Sequence, residues 1–148
     1  MPKKHNTTAL LIVDLQKGFG TTDKLVKGIL KAASGYDVVV ATEFVNGHAF
    51  SPRASREDLR LGPLPPSAKV FRKNTYGVPP ALIGYLKKKG VRHIDICGLE
   101  REACVLAAAF NLWDAEIRPR ILKDLVGTNK GNENLRKPAL LVIRKNFE

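Results

Sequence analysis

A chain of 148 residues with 44% hydrophobic side chains has the size and apolar content of one folded domain, read here as spanning 1–148. Its formal net charge of +11 comes from scattered residues such as Lys3, Lys87, Arg118 and Lys137, with no basic run interleaved with aromatics; a solvated surface is expected, not a nucleic-acid partner. Two cysteines, Cys97 and Cys104, without a second Cys/His pair exclude a disulfide framework, a zinc ribbon and a C-x-x-C redox motif.

The polar, basic start gives way to the apolar run Ala9 to Asp14, too short for a signal core or a membrane span. A cytoplasmic protein with reduced thiols and no membrane contact is the expectation. The run itself reads as a strand buried on both faces and ending in a carboxylate. Asp23 to Ala33 carries apolar residues at helical spacing and is closed by Gly35, and Val38 to Thr42 is a second, β-branched strand. From Phe44 to Ser67 the chain turns irregular, punctuated by Asn46-Gly47, Ser51-Pro52 and Leu64-Pro65-Pro66, with one short helical turn near Ser55 to Leu59. Val70 to Lys73 is a third strand, Pro79 to Lys89 a helix ended by Gly90, and His93 to Cys97 a fourth strand. Glu102 to Trp113 reads as a helix, Glu116 to Leu122 as a strand, and Leu140 to Arg144 as a last strand. This β-then-α rhythm predicts a single-domain α/β fold: a doubly wound, mostly parallel sheet with helices on both faces, a Rossmann-like three-layer sandwich.

In such sheets ligands bind beyond the carboxyl ends of the strands, so reactive side chains at strand ends are the candidates. Asp14 closes the first strand, Lys73 closes the third, and Cys104 follows the fourth after Gly98-Leu99-Glu100-Arg101-Glu102-Ala103. A cysteine near a helix start, beside an ammonium, is favoured as a thiolate. A nearby carboxylate can take the thiol proton and return it to a leaving group. Each residue alone has a plainer role: Cys104 as packing, Lys73 as surface, Asp14 as a cap. Phe19, Phe44 and Tyr76 follow strand ends and are the expected pocket walls, whereas Phe110 and Trp113, at helical spacing, are expected in the core. His5 and His93 are expected at the surface.

Three motifs together carry a family resemblance. Ala-Leu-Leu-Ile-Val-Asp14-Leu-Gln16-Lys-Gly-Phe19, Val-Phe-Arg-Lys73-Asn-Thr-Tyr76-Gly and Ile-Cys-Gly98-Leu99-Glu100-Arg-Glu-Ala-Cys104 resemble, in order, the aspartate, lysine and nucleophile motifs of the isochorismatase-like cysteine hydrolases. These include nicotinamidases and N-carbamoylsarcosine amidase. The resemblance implies a catalytic triad of Asp14, Lys73 and Cys104, a cis peptide between Leu99 and Glu100, and an oxyanion hole of the Glu100 and Cys104 N–H groups. It also implies substrate contacts from Gln16, Phe19, Phe44, Asn46, Tyr76 and Leu99, hydrolysis of an amide or related C–N bond in a small molecule, and assembly as a homo-oligomer. Nicotinamidases bear an Asp-x-His metal site after the second strand; here the stretch is Glu43-Phe44-Val45-Asn46, and His48 lacks a histidine partner nearby, so neither metal nor other cofactor is expected. The charged Glu100-Arg101-Glu102 replaces small and polar residues and is expected to bias or obstruct substrate binding. Enol-ether hydrolysis of the isochorismatase kind, with Asp14 as general acid, is the alternative chemistry. A catalytically silent binding domain with a basic surface is the alternative of another class.

Overall fold

The structure is a computed structural model that describes residues 6–45, 62–129 and 131–148. Asn46, His5, His48 and the expected turn near Ser55 to Leu59 lie outside the described residues.

The described strands β1 (Ala9–Val13), β2 (Val38–Phe44), β3 (Lys69–Lys73), β4 (His93–Leu99) and β5 (Arg118–Gly127) form one parallel sheet in the order β3-β2-β1-β4-β5. β1 is central and all five of its residues are buried, as a run apolar at every position requires. Alternate side chains leave opposite faces. Leu10, Ile12, Val39 and Ala41 pack with Val26, Ile29 and Ala33 of helix α1 (Asp23–Ala33). On the other face Leu11, Val13, Val40 and Ile96 meet Leu82 and Leu86 of α2 (Pro80–Lys88), Ala108 and Leu112 of α3 (Leu106–Asp114), and Ile143 of α4 (Arg136–Phe147). The three-layer α/β sandwich expected from the alternating pattern is therefore present.

Local chemistry sets the boundaries. The Thr22 hydroxyl accepts the Leu25 N–H at 3.2 Å and opens α1; Pro80 occupies the first turn of α2, where its missing N–H costs nothing. Gly98 is required in β4. Its φ is +108°, and a Cβ there would lie 2.1 Å from the Val13 carbonyl oxygen, so only glycine lets β4 come this close to the end of β1.

Two expectations are corrected. Leu140 to Arg144 is not a strand but part of α4. Its buried residues, Ala139 and Ile143, are four apart while Leu141 and Val142 face solvent, which is helical spacing; the four-residue apolar run Leu140 to Ile143 does not by itself distinguish the two periods. Phe110 and Trp113 are not core residues but 40% and 55% exposed. The inward stripe of α3 is filled by Ala108, Ala109 and Leu112, and Phe110 instead packs on Phe147 at a ring separation of 5.0 Å. β5 also runs on to Gly127, beyond the expected Leu122.

Candidate active site

Asp14 leaves β1 with a positive φ of 44°, a turn that aspartate tolerates better than most residues. Its side chain is fully buried, and Lys73 Nζ lies 3.1 Å from its Oδ2 with the lysine side chain 1% exposed. β2 stands between β1 and β3, so the backbones carrying the two residues are about 10 Å apart, a gap that a long lysine stem crosses. An isolated charge here would cost several kcal/mol, and the pair offsets that for both partners. Lys73 Nζ also donates to the Tyr76 carbonyl at 2.9 Å. Thr42, buried in β2, donates its hydroxyl to Asp14 Oδ1 at 2.8 Å and accepts the Asp14 backbone N–H at 3.2 Å. Oδ1 is thus held by Thr42, and Oδ2 faces the ammonium.

Cys104 reaches the same carboxyl edge from β4. The Leu99–Glu100 peptide is cis, as expected. The helix then begins with a π turn over Arg101–Val105, in which the Val105 N–H reaches back to the Glu100 carbonyl at 3.1 Å. Cys104 falls on the buried side of this turn with Val105, and α3 continues directly from it. A helix start presents the positive end of the backbone dipoles, which favours an anionic sulfur. Cys97, on β4, is a different thiol: burial pushes its ionisation far up, and its S–H lies 3.5 Å from the Leu11 carbonyl.

Two of the charged residues before Cys104, Arg101 and Glu102, are turned toward the end of β5. Arg101 is buried, donating from Nη1 to Thr128 Oγ1 at 2.8 Å and from Nη2 to the Val126 carbonyl at 2.6 Å. Thr128 Oγ1 in turn donates to Glu102 Oε2 at 3.0 Å. The two side chains fasten the nucleophile turn to the end of β5. Burial lowers the Arg101 pKa, and the neighbouring Arg136 lowers it further.

The remaining candidates divide. Gln16 is fully buried and its amide holds Phe44, donating to its carbonyl at 3.0 Å and accepting its N–H at 2.8 Å. Phe19 and Phe44 are both buried and meet edge to face at 5.9 Å. Leu99 is buried against Gly127, and Tyr76 is 49% exposed. At the position of a metal site after β2, Glu43 pairs with Arg72 at 3.3 Å, and among the described residues no three His, Cys, Asp or Glu side chains converge.

A family model, the Isochorismatase domain, matches residues 8–147. The chain belongs to the isochorismatase family. It is a hydrolase of that family. Solved structures similar to it include a nicotinamidase from Bacillus subtilis, at 16% identity with 95% of this chain and 96% of that one covered and a TM-score of 0.77. A pyrazinamidase from Pyrococcus horikoshii, determined in complex with zinc, is 23% identical over 95% and 96% of the two chains with a TM-score of 0.73. An isochorismatase-like hydrolase from Alkaliphilus metalliredigens is 16% identical over 94% and 91%, with a TM-score of 0.76. At these identities the likeness concerns the fold. No curated protein matches the chain in sequence. Among the described residues no helix is long and apolar enough to cross a membrane.

Within this isochorismatase-family site, sequence reasoning misses Thr42 and the anchoring direction of Arg101. The available signal for Thr42 is its place: a hydroxyl directly after the apolar run Val38 to Ala41, one residue beyond the Ile12–Ala41 pair and so level with the end of β1.

Proposed function

We propose that this hydrolase cleaves an amide or related C–N bond in a small polar molecule without a metal, using Cys104 as nucleophile and Asp14 and Lys73 as its partners. The observation that carries the reading is the fully buried Lys73–Asp14 pair at 3.1 Å on the sheet edge that also bears Cys104. Asp14 Oδ2 takes the Cys104 proton, and the thiolate adds to the substrate carbonyl carbon. The Glu100 and Cys104 N–H groups receive the negative oxygen of the tetrahedral intermediate. As that intermediate collapses, the C–N bond breaks and Asp14 returns the proton to the departing nitrogen, leaving a thioester. Asp14 then deprotonates a water that attacks the thioester, releasing the acid and restoring the thiol.

In this reading Phe19, Phe44, Tyr76 and Leu99 bound the substrate region, and Gln16 acts through Phe44, whose backbone it holds. Asn46 is assigned a direct substrate contact. The protein works in the reducing cytoplasm as a homo-oligomer, for which exposed Trp113 and Leu141 supply apolar surface.

The test is the pH dependence of iodoacetamide alkylation, followed by intact-protein and peptide mass spectrometry, with Cys97 as internal control. Cys104 is expected to react far faster than Cys97 below pH 8, and the advantage to fade in Lys73→Ala. A panel of primary amides is then assayed with wild type and Cys104→Ala. Amide hydrolysis that survives Cys104→Ala but not Asp14→Asn overturns the covalent mechanism in favour of direct attack by a water that Asp14 activates.

A further inference from the structure

The opposite, amino-terminal edge of the sheet holds a cavity of about 950 Å³ that the hydrolytic site does not use. It is lined by the starts of β1, β4 and β5, by Tyr36 beyond α1 and by Phe147 at the end of α4. Asp95 in this wall is level with Leu10 in β1, whereas Asp14 lies past the other end of that strand. The two sites are therefore separated by most of the length of the sheet.

The charge of the cavity is arranged in two parts. Asp95 is saturated: Arg120 gives it two parallel bonds, from Nε at 2.8 Å and from a terminal nitrogen at 2.6 Å, and the Tyr36 hydroxyl donates to it at 2.5 Å. Arg120 is thereby neutralised and fixed in place. Arg92 and Arg118 are not. Among the described residues neither guanidinium has an ion pair or a hydrogen bond; a backbone bond from the Arg118 N–H to the Arg92 carbonyl at 2.8 Å joins the two strand starts, and both arginines line the cavity. His93 stands beside Arg118 in the register and also lines the wall. By strand alternation the two side chains leave opposite faces of the sheet, so an anion seated at this edge meets one unpaired cation from each side, and the guanidinium fork suits phosphate oxygens in particular. The volume is that of a small-molecule site.

We propose that this cavity binds a small molecule carrying a diphosphate, held between Arg92 and Arg118 with the Arg120–Asp95–Tyr36 group as a rigid wall. Isothermal titration calorimetry of the full chain with inorganic pyrophosphate, and separately with ADP, tests it. One saturable site is expected, weakening as salt rises. Arg92→Gln and Arg118→Gln should each weaken it about tenfold, as loss of a charge-assisted contact to phosphate does. Cys104 alkylation should be unchanged in both variants. A Lys88→Gln variant, which removes the same single charge from the end of α2, should bind as wild type does. Absence of saturable binding to either probe overturns the proposal. So does a loss in the lysine variant matching that in the arginine variants, because the anion would then be sensing only net charge.

Discussion

Thr42 and Asp14 hold each other twice: the Thr42 hydroxyl donates to Asp14 Oδ1 at 2.8 Å and accepts the Asp14 backbone N–H at 3.2 Å. A single side chain thus fixes both the turn that ends β1 and the rotation of the carboxylate. Thr42→Val keeps the shape and removes the hydroxyl, leaving two buried polar groups of Asp14 short of a partner. The expected loss is about 2–4 kcal/mol of unfolding free energy in urea, with slower Cys104 alkylation, and recovery of both in Thr42→Ser. Equal urea midpoints for Val and wild type would remove Thr42 from this role.

Lys73 is the only described cation paired with Asp14, so removing its charge strands a buried carboxylate. Lys73→Met is expected to cost about 3–5 kcal/mol, the usual penalty for breaking one half of a buried pair. Adding Asp14→Asn to that variant should return much of the stability while leaving the enzyme inactive, since no charge is then left without a partner. Urea unfolding of the two single variants and the double variant measures the coupling directly.

Arg101 gives a prediction about position rather than charge. Arg101→Met fills similar space but deprives the Val126 carbonyl and Thr128 of their donor. A loss of about 1–3 kcal/mol is expected, with a smaller fall in Cys104 reactivity as the π turn loosens from β5. If Arg101 instead met substrate, the same variant would raise KM with stability unchanged.

How far these features were legible follows from their physics. Asp14 and Lys73 can be found from sequence because charges at the ends of apolar strands are conspicuous, and the β/α alternation orders their strands. Thr42 cannot be separated from its neighbours Val38 to Ala41, since a β-branched hydroxyl residue satisfies strand propensity equally well. Arg101 shows its charge but not its direction, which depends on where β5 ends, five residues later than its pattern suggests. The α4 segment fails for another reason: Leu140 to Ile143 is apolar at every position, and only packing reveals that Ala139 and Ile143 form the inward face.

Gly98→Ala addresses the approach of β4 to β1. The added methyl would meet the Val13 carbonyl at 2.1 Å, and the +108° φ is itself unfavourable for alanine. The atoms it would meet are all Val13 backbone, so nothing soft can move aside; a loss of about 3 kcal/mol or more is expected, together with displaced Asp14 and Cys104 turns. Circular dichroism melts against wild type would show it as a large fall in Tm.

The Tyr36–Asp95 contact makes a prediction in pH. Burial first, and then the hydrogen bond to Asp95 and its charge, raise the Tyr36 pKa from the usual 10 to about 12. The folded chain therefore keeps this proton at pH values where the unfolded chain has released it. Such a group contributes its full stabilisation below pH 10, and the contribution is lost as pH rises through 12. Tyr36→Phe should be less stable than wild type by about 1 kcal/mol at pH 8, the worth of one hydrogen bond. The gap should narrow between pH 10 and 12, because the unfolded chain releases the phenol proton there while the folded chain has to keep it. Urea unfolding of both proteins at stepped pH measures the difference and cancels the alkaline losses they share. A gap that stayed constant across that range would mean that the Tyr36 hydroxyl is not coupled to Asp95 in solution.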